Sequence, residues 1–300
     1  MELLAKSNFS FLRGASSPES LVQRAAALGH HSIALVDHMG FYGSARAHAE
    51  AKKVGIKAIT GATLESVLGF HQLTILNKSR SGYQNLSRLL TSLHCEQNVN
   101  NLSGHDLNGN HAILTPESLH NPTKESLLRA AKKLLDHFGP DNVSIALFHH
   151  FRRGEEKTNR LLRDLGGFLK IPIIASNSPT YSQRSDRLLA DAFTCLREHK
   201  TLDDSGRFLE CNGERFLKSP KEIHNLFITH PQVANNAQAL SEECSDFSLE
   251  NLGYRFPSYR DPNTGKLFTG HEQCEYLRHT VERGLKKKFL NLSKKHRQQI

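Results

Sequence analysis

The chain has 300 residues, of which 38% are hydrophobic and 23% charged, and a formal net charge of +9 with a pI near 9.3. These values exclude a disordered, collagen-like or disulfide-stapled polypeptide and fit one large domain or two modest ones. No apolar run approaches the ~20 residues of a membrane-spanning helix, and no basic-then-apolar leader opens the sequence, so a cytoplasmic location without a membrane partner is expected. The excess of base fits a polyanionic partner. Five cysteines, Cys95, Cys195, Cys211, Cys244 and Cys274, are scattered without a C-x-x-C pair, and they read as reduced thiols rather than a disulfide framework or zinc knuckle.

From residue 1 to about 185, short β-branched runs alternate with longer stretches of helical period, the pattern of parallel strands joined by crossover helices. Ser17 is placed as an N-cap with Pro18 at the first helical position, apolar residues recur at Leu21, Val22, Ala25 and Leu28, and Gly29 ends the helix. Strands are expected at Ser32–Val36, Lys57–Leu64, Gln72–Leu76, Ala112–Leu114, Val143–Leu147 and Ile171–Ala175. Helices are expected at Ser44–Lys53, Tyr83–Ser92, Lys124–His137 and Glu155–Leu169. Cys95–His111 is polar and Asn-rich and reads as a loop.

About six βα units in this length imply a closed barrel or a doubly wound sheet, each of which mounts its functional groups at the carboxyl ends of the strands. After residue 185 the strands stop, and helices follow at Arg187–Arg197, Ser219–Phe227 and His230–Glu243. Pro257, Pro262, Gly265 and Gly270 mark 256–270 as a linker, and helical period resumes at His271–Phe289.

Asp37-His38 directly follows a strand, which places a carboxylate and an imidazole where metal or phosphate chemistry is mounted. His149-His150 is the second candidate pair, and only one of two adjacent side chains can face a site. The chain has eighteen histidines, but most lack ligand-like spacing and read as surface groups.

The decapeptide Ser7–Ser16, followed by Pro18-Glu19 and the helix to Gly29, resembles the opening of the bacterial error-prone DNA polymerases, C-family enzymes akin to the polymerase III alpha subunit. The resemblance continues through Val36-Asp37-His38, Gly61-Ala62, Gly82-Tyr83, Asn85-Leu86, Arg88-Leu89-Leu90 and Arg153-Gly154-Glu155-Glu156. It then takes in Leu188–Asp191, Thr194–Arg197, Thr201-Leu202-Asp203 and Glu214–Pro220. It implies a polymerase and histidinol phosphatase (PHP) domain, a distorted (β/α)7 barrel followed by an α-helical extension. The implied division is a barrel with its extension at 1–255, the linker at 256–270, and the basic helical start of a truncated polymerase palm at 271–300.

Active members of that family hold two or three metals, and their pattern begins with His-x-His on the first strand. Here the matching positions are Leu4 and Lys6. The bridging glutamate position is Thr63, the late Asp-x-His is Ser178-Pro179-Thr180, and an acidic strand position is Ala146. Asp37, His38 and His150 alone match, as vestigial metal ligands. A binuclear centre needs carboxylates or imidazoles to balance its positive charge, so no cofactor is expected, with zinc, manganese or iron in a residual site as the alternative. Lys6 either pairs with Asp37 or extends its ammonium to solvent; the desolvation cost of a buried pair favours solvent.

The segment 278–300 holds eight Lys or Arg and one acid, a net +7 that leaves +2 for the rest, and such a block can bind DNA by counterion release. Leu277, Leu285 and Phe289 read as exposed apolar residues on this basic helix that would make it sticky. The resemblance implies the PHP portion of an error-prone polymerase acting in translesion synthesis during DNA repair, structural and not catalytic alone. Its partner is the remaining palm and thumb or a split product, and the ending Arg297-Gln298-Gln299-Ile300 reads as a truncated or split frame. The alternatives are a stand-alone metal-dependent phosphoesterase or 3′ exonuclease, and a non-enzymatic DNA-binding adaptor.

Overall fold

Three helix starts show how local chemistry sets the elements. Ser17, Thr123 and Ser219 each accept a backbone N–H from the residue three positions on, satisfying a donor that the first helical turn leaves free. The computed structural model describes residues 1–95, 104–253, 258–262 and 264–288. It contains two compact units, 1–252 and 253–300.

In the first unit the elements run β1 (Glu2–Ala5), α1 (Pro18–Ala27), β2 (Ser32–His38), α2 (Ser44–Val54), β3 (Lys57–Val67), β4 (Phe70–Asn77), α3 (Arg80–Cys95), β5 (Asn110–Leu114), α4 (Lys124–Phe138), β6 (Val143–Leu147), α5 (Glu155–Leu169), β7 (Ile173–Ala175), α6 (Arg187–Arg197), α7 (Pro220–Leu226) and α8 (Gln232–Cys244). The seven strands neighbour one another in chain order. They curl into a distorted half-barrel, and helices follow it. This is the mixed α/β architecture expected of a distorted PHP barrel with a helical extension.

The sheet departs from the expected parallel run at β3 and β4, which pair antiparallel, as do β4 and β5; the other neighbours are parallel. Leu68 and Gly69 alone separate β3 from β4, both at positive φ, the backbone of a tight hairpin turn. A two-residue connection can only join antiparallel strands. β1 was not among the strands expected from composition, because Glu-Leu-Leu-Ala favours a helix and its strand state depends on burial on both faces.

Every strand contributes to one buried apolar cluster in the barrel, through Leu4, Val36, Ile59, Leu76, Ile113, Ala146 and Ile174 among others. Ala237, Leu240 and Cys244 of α8 join this cluster. Asn236 donates to the Ile173 carbonyl at 2.9 Å, and Ser241 Oγ lies 2.5 Å from Ser32 Oγ, so α8 closes the end where β2 and β7 begin. On the outer surface, Leu21, Val22, Ala25, Ala47 and Ala51 of α1 and α2 cover Ile33 and Leu35. Helices α3 to α5 cover the outer face of β3 to β6 in the same way. Where β1 meets the chain after β7, the Glu2 carboxylate accepts from Ser176 Oγ and from the Asn177 backbone N–H. The carboxyl ends of the parallel strands are left to form the site.

The second unit contains α9 (Gly270–Lys288), which has no buried residue. The rings of Tyr259, Phe268 and Tyr276 meet one another at centroid distances of 5.2 to 5.9 Å. Arg278, Arg283, Lys286, Lys287 and Lys288 are exposed on α9, and Leu277 is 63% exposed. The remainder of the basic segment, with Phe289, lies outside the described residues, as do 96–103 of the Asn-rich loop and 256, 257 and 263 of the linker.

Candidate functional site

Asp37 sits at the end of β2, 1% exposed, and its carboxylate is held by the loop that follows β1 and by the turn before α2. Oδ1 accepts from the Ser7 backbone N–H at 2.8 Å and from Ser10 Oγ at 2.8 Å, while Ser7 Oγ lies 2.9 Å from both oxygens. Oδ2 also accepts from the Gly43 N–H at 3.0 Å. A side chain at Gly43 would put a Cβ 2.6 Å from Oδ2, and one at Gly14 would strike the Ser7 carbonyl at 2.1 Å. The motif Ser7–Gly14 thus has a physical role: it wraps a buried carboxylate with neutral donors, as such a charge requires.

His38 Nε2 lies 2.5 Å from Glu65 Oε2, which also accepts from Arg13 at 3.1 Å. Burial lowers the His38 pKa, and the Glu65 hydrogen bond only partly opposes it. His150, 1% exposed, bonds through Nε2 to the Asn177 carbonyl at 2.8 Å. Burial first, then the charge of Arg215, lowers its pKa to about 3, so the ring is neutral and donates. His149 turns instead toward Phe151 and Phe227.

The groups at the centre of the site are ones that the sequence did not single out as a set. Arg215 Nη1 donates to Glu117 Oε1 at 2.6 Å and lies 3.4 Å from Glu210 Oε1. Its Nε and Nη2 donate to the Ser178 carbonyl at 3.2 and 3.0 Å, and Nη2 donates to Ser178 Oγ at 2.9 Å. Burial alone would raise the Glu117 pKa, but the charges of Arg215 and then Lys6 outweigh it and hold it at about 2. Arg13 and Arg215 fall inside segments that carry the family resemblance, whereas their partners Glu65 and Glu117 stand 52 and 98 positions away in ordinary polar context. No local spacing reveals such pairs.

Lys6 corrects the expectation that its head reaches solvent. The residue is 8% exposed, and its ammonium donates to Gln72 Oε1 at 3.2 Å. It does not pair with Asp37, whose oxygens the serines and Gly43 already hold. Leu4 is buried in the barrel interior, and Thr63 Oγ1 donates to the Val36 carbonyl at 3.0 Å. Lys6, Arg13, His71, Glu117, Thr180 and Arg215 line a pocket of about 430 Å³.

This donor set does not fit a PHP metal cluster. Among the described residues no three His, Cys, Asp or Glu side chains are grouped to hold a metal ion. Two cations, Lys6 and Arg215, stand at the site, and Asp37, His38 and His150 are each engaged by a different partner. Cationic side chains and committed acceptors oppose a divalent ion where carboxylates and free imidazoles would favour it.

Residues 2–114 match the family model described as the PHP domain, and the chain therefore carries a PHP domain. That domain is homologous to the PHP domains of the error-prone, C-family DNA polymerases, at moderate identity over most of the chain. The error-prone DNA polymerase of Anaeromyxobacter dehalogenans (strain 2CP-1) is 35% identical over 269 residues, covering 85% of this chain and 23% of that protein. The error-prone DNA polymerase of Mycobacterium bovis is 30% identical over 312 residues, covering 96% of this chain and 28% of that protein. The chain thus spans about a quarter of the length of the curated relatives it matches. A solved amidohydrolase from Chromobacterium violaceum is similar at 14% identity and a TM-score of 0.40, covering 59% of this chain and 86% of that one. No helix among the described residues is long and apolar enough to cross a membrane.

Proposed function

We propose that this chain is the PHP portion of an error-prone DNA polymerase of translesion repair, and that its barrel acts structurally rather than as a phosphoesterase. The observation that carries this reading is that the Lys6 ammonium and the Arg215–Glu117 ion pair stand at a site where, among the described residues, no three His, Cys, Asp or Glu side chains are grouped to hold a metal ion. Asp37, His38 and His150 are read as the remnant of the ligand set, retained because Asp37 organises the loop after β1 and His150 ties β6 to the segment after β7. The working partner is a polymerase palm and thumb, joined to this chain or supplied separately.

The test is hydrolysis of an aryl phosphate and of single-stranded DNA by purified protein supplied in turn with zinc, manganese and iron. The expected rate stays at background with every metal. A metal-stimulated rate abolished by Asp37→Ala would replace this reading with that of a stand-alone phosphoesterase or 3′ exonuclease.

A second role is favoured by one observation, the exposed Arg278, Arg283 and Lys286 to Lys288 on α9. These charges suit contact with DNA phosphates. The affinity of the full chain for single-stranded DNA should then fall steeply between low and physiological salt, and charge reversal at Lys286, Lys287 and Lys288 should flatten that slope.

A further inference from the structure

Lys6 is unusual among the cations of its pocket. Arg13 is held by Glu65, Arg187 by Asp191, and Arg215 by Glu117 and Glu210. The Lys6 amine has one acceptor, the Gln72 amide oxygen at 3.2 Å, and among the described residues no carboxylate pairs with it within 4 Å. An ammonium has three N–H donors. More than nine-tenths of the residue is buried, yet it lines an open pocket of about 430 Å³, a volume within the range of small-molecule sites.

These surroundings make the amine easier to deprotonate than that of a surface lysine, although it is still mostly charged at pH 7. Burial lowers the Lys6 pKa to about 8; Glu117 works against the shift, and Arg215 and Arg13 add to it. At pH 8 about half of such amines carry a free lone pair, against less than about 1% for a surface lysine near pKa 10.4. A desolvated lysine beside other cations is an activated nucleophile, and its natural electrophile is a carbonyl carbon.

We propose that the Lys6 amine captures a small polar aldehyde in this pocket as a reversible Schiff base. The nitrogen lone pair forms the C–N bond as the carbonyl π pair moves onto oxygen. A proton passes from nitrogen to that oxygen, and loss of water leaves the C=N bond, with no oxidant or reductant required. His71 lines the same pocket, and its pKa is lowered by burial and then by the charge of His120, so its neutral ring can relay the proton. The charged and polar lining favours an aldehyde bearing hydroxyl or acid groups over an apolar one. The proposal rests on the metal-free half of the reading above and is independent of the polymerase assignment.

The test uses glyoxylate as probe, with cyanoborohydride to fix the imine, on the full chain between pH 6 and 10, with and without chelator, followed by peptide mapping. At pH 7.5 the Lys6 peptide should be labelled at least tenfold faster than those of the exposed Lys52 and Lys57, with a midpoint near pH 8. Lys6→Arg should abolish that label. Gln72→Leu, which removes the single acceptor at a partly exposed position, should move the midpoint lower and shows the effect without altering Lys6. Labelling of Lys6 no faster than that of Lys52 and Lys57 in folded protein would overturn the proposal. Fast labelling that appears only after chelation would support the amine site while overturning the metal-free reading.

Discussion

The Arg215 guanidinium meets the Glu117 carboxylate at 2.6 Å across 98 positions of chain, with side chains 8% and 20% exposed. It joins the segment after β5 to the segment before α7, beside Lys6 in the same pocket. Arg215→Met leaves Glu117 as a half-buried charge without its main partner, at a cost of about 2 kcal/mol, below the roughly 3–5 kcal/mol of a fully buried pair. The double variant Arg215→Met/Glu117→Gln should recover a good part of that loss. A double-mutant cycle by urea unfolding measures the coupling.

Acid should destabilise the protein through groups held in their deprotonated forms. His30, His111 and His150 have pKa values lowered to about 4, 3 and 3, chiefly by burial. In the unfolded chain these rings take up protons near pH 6.5, where the folded rings do not, so stability falls as pH drops from about 6.5 toward 3. Glu117, lowered to about 2, adds a loss that starts near its unfolded pKa and continues below pH 4. Urea midpoints at pH 7, 5.5 and 4 should decline in that order, and His150→Gln should shallow the decline.

Lys6 should act in the opposite range. Its folded pKa near 8 lies below the unfolded value, so between about pH 8 and 10.5 the folded chain has released a proton that the unfolded chain still binds. Stability contributed by this residue therefore rises with pH through that window, by on the order of 3 kcal/mol in full. The difference in unfolding free energy between the parent and Lys6→Met, measured from pH 7 to 10, should show that slope. The same variant should be more stable than the parent at pH 7, where the parent buries a charge.

Asp37→Ala should cost about 3 kcal/mol, because it strands the Ser7 and Gly43 backbone donors and the two serine hydroxyls in a dry loop. Asp37→Asn should cost less, since one amide oxygen still accepts. Thermal melting of the two variants gives the order directly.

Much of this fold was legible because its elements follow local rules. Glu155–Leu169 and Arg187–Arg197 are helices over the spans that their periodicity defines, and Asp37 and His38 stand at the carboxyl end of β2, where the strand runs two residues beyond the expected Val36. The β3–β4 hairpin was hidden because its turn is Leu68-Gly69 rather than an Asn-Gly pair. At the site, the non-ligand residues Leu4, Thr63, Ser178 and Thr180 could be read one by one against the family pattern. What replaced them could not, since the position of Lys6 depends on Gln72 and the pairing of Arg215 depends on Glu117. Solvent was the expectation for Lys6 because an isolated lysine is costly to bury; a polar pocket with a carboxylate at a distance reduced that cost.

On the reading proposed above, cationic side chains and committed hydrogen bonds stand in this PHP domain where metal would bind. Metal stoichiometry of the purified chain, paired with thermal melting in chelator, tests it most directly. Less than about a tenth of an equivalent of zinc, manganese or iron and an unchanged melting temperature in chelator are expected, because an ion bound only by the folded state would add stability by linkage. A stoichiometric metal whose removal lowers the melting temperature by several degrees would contradict it.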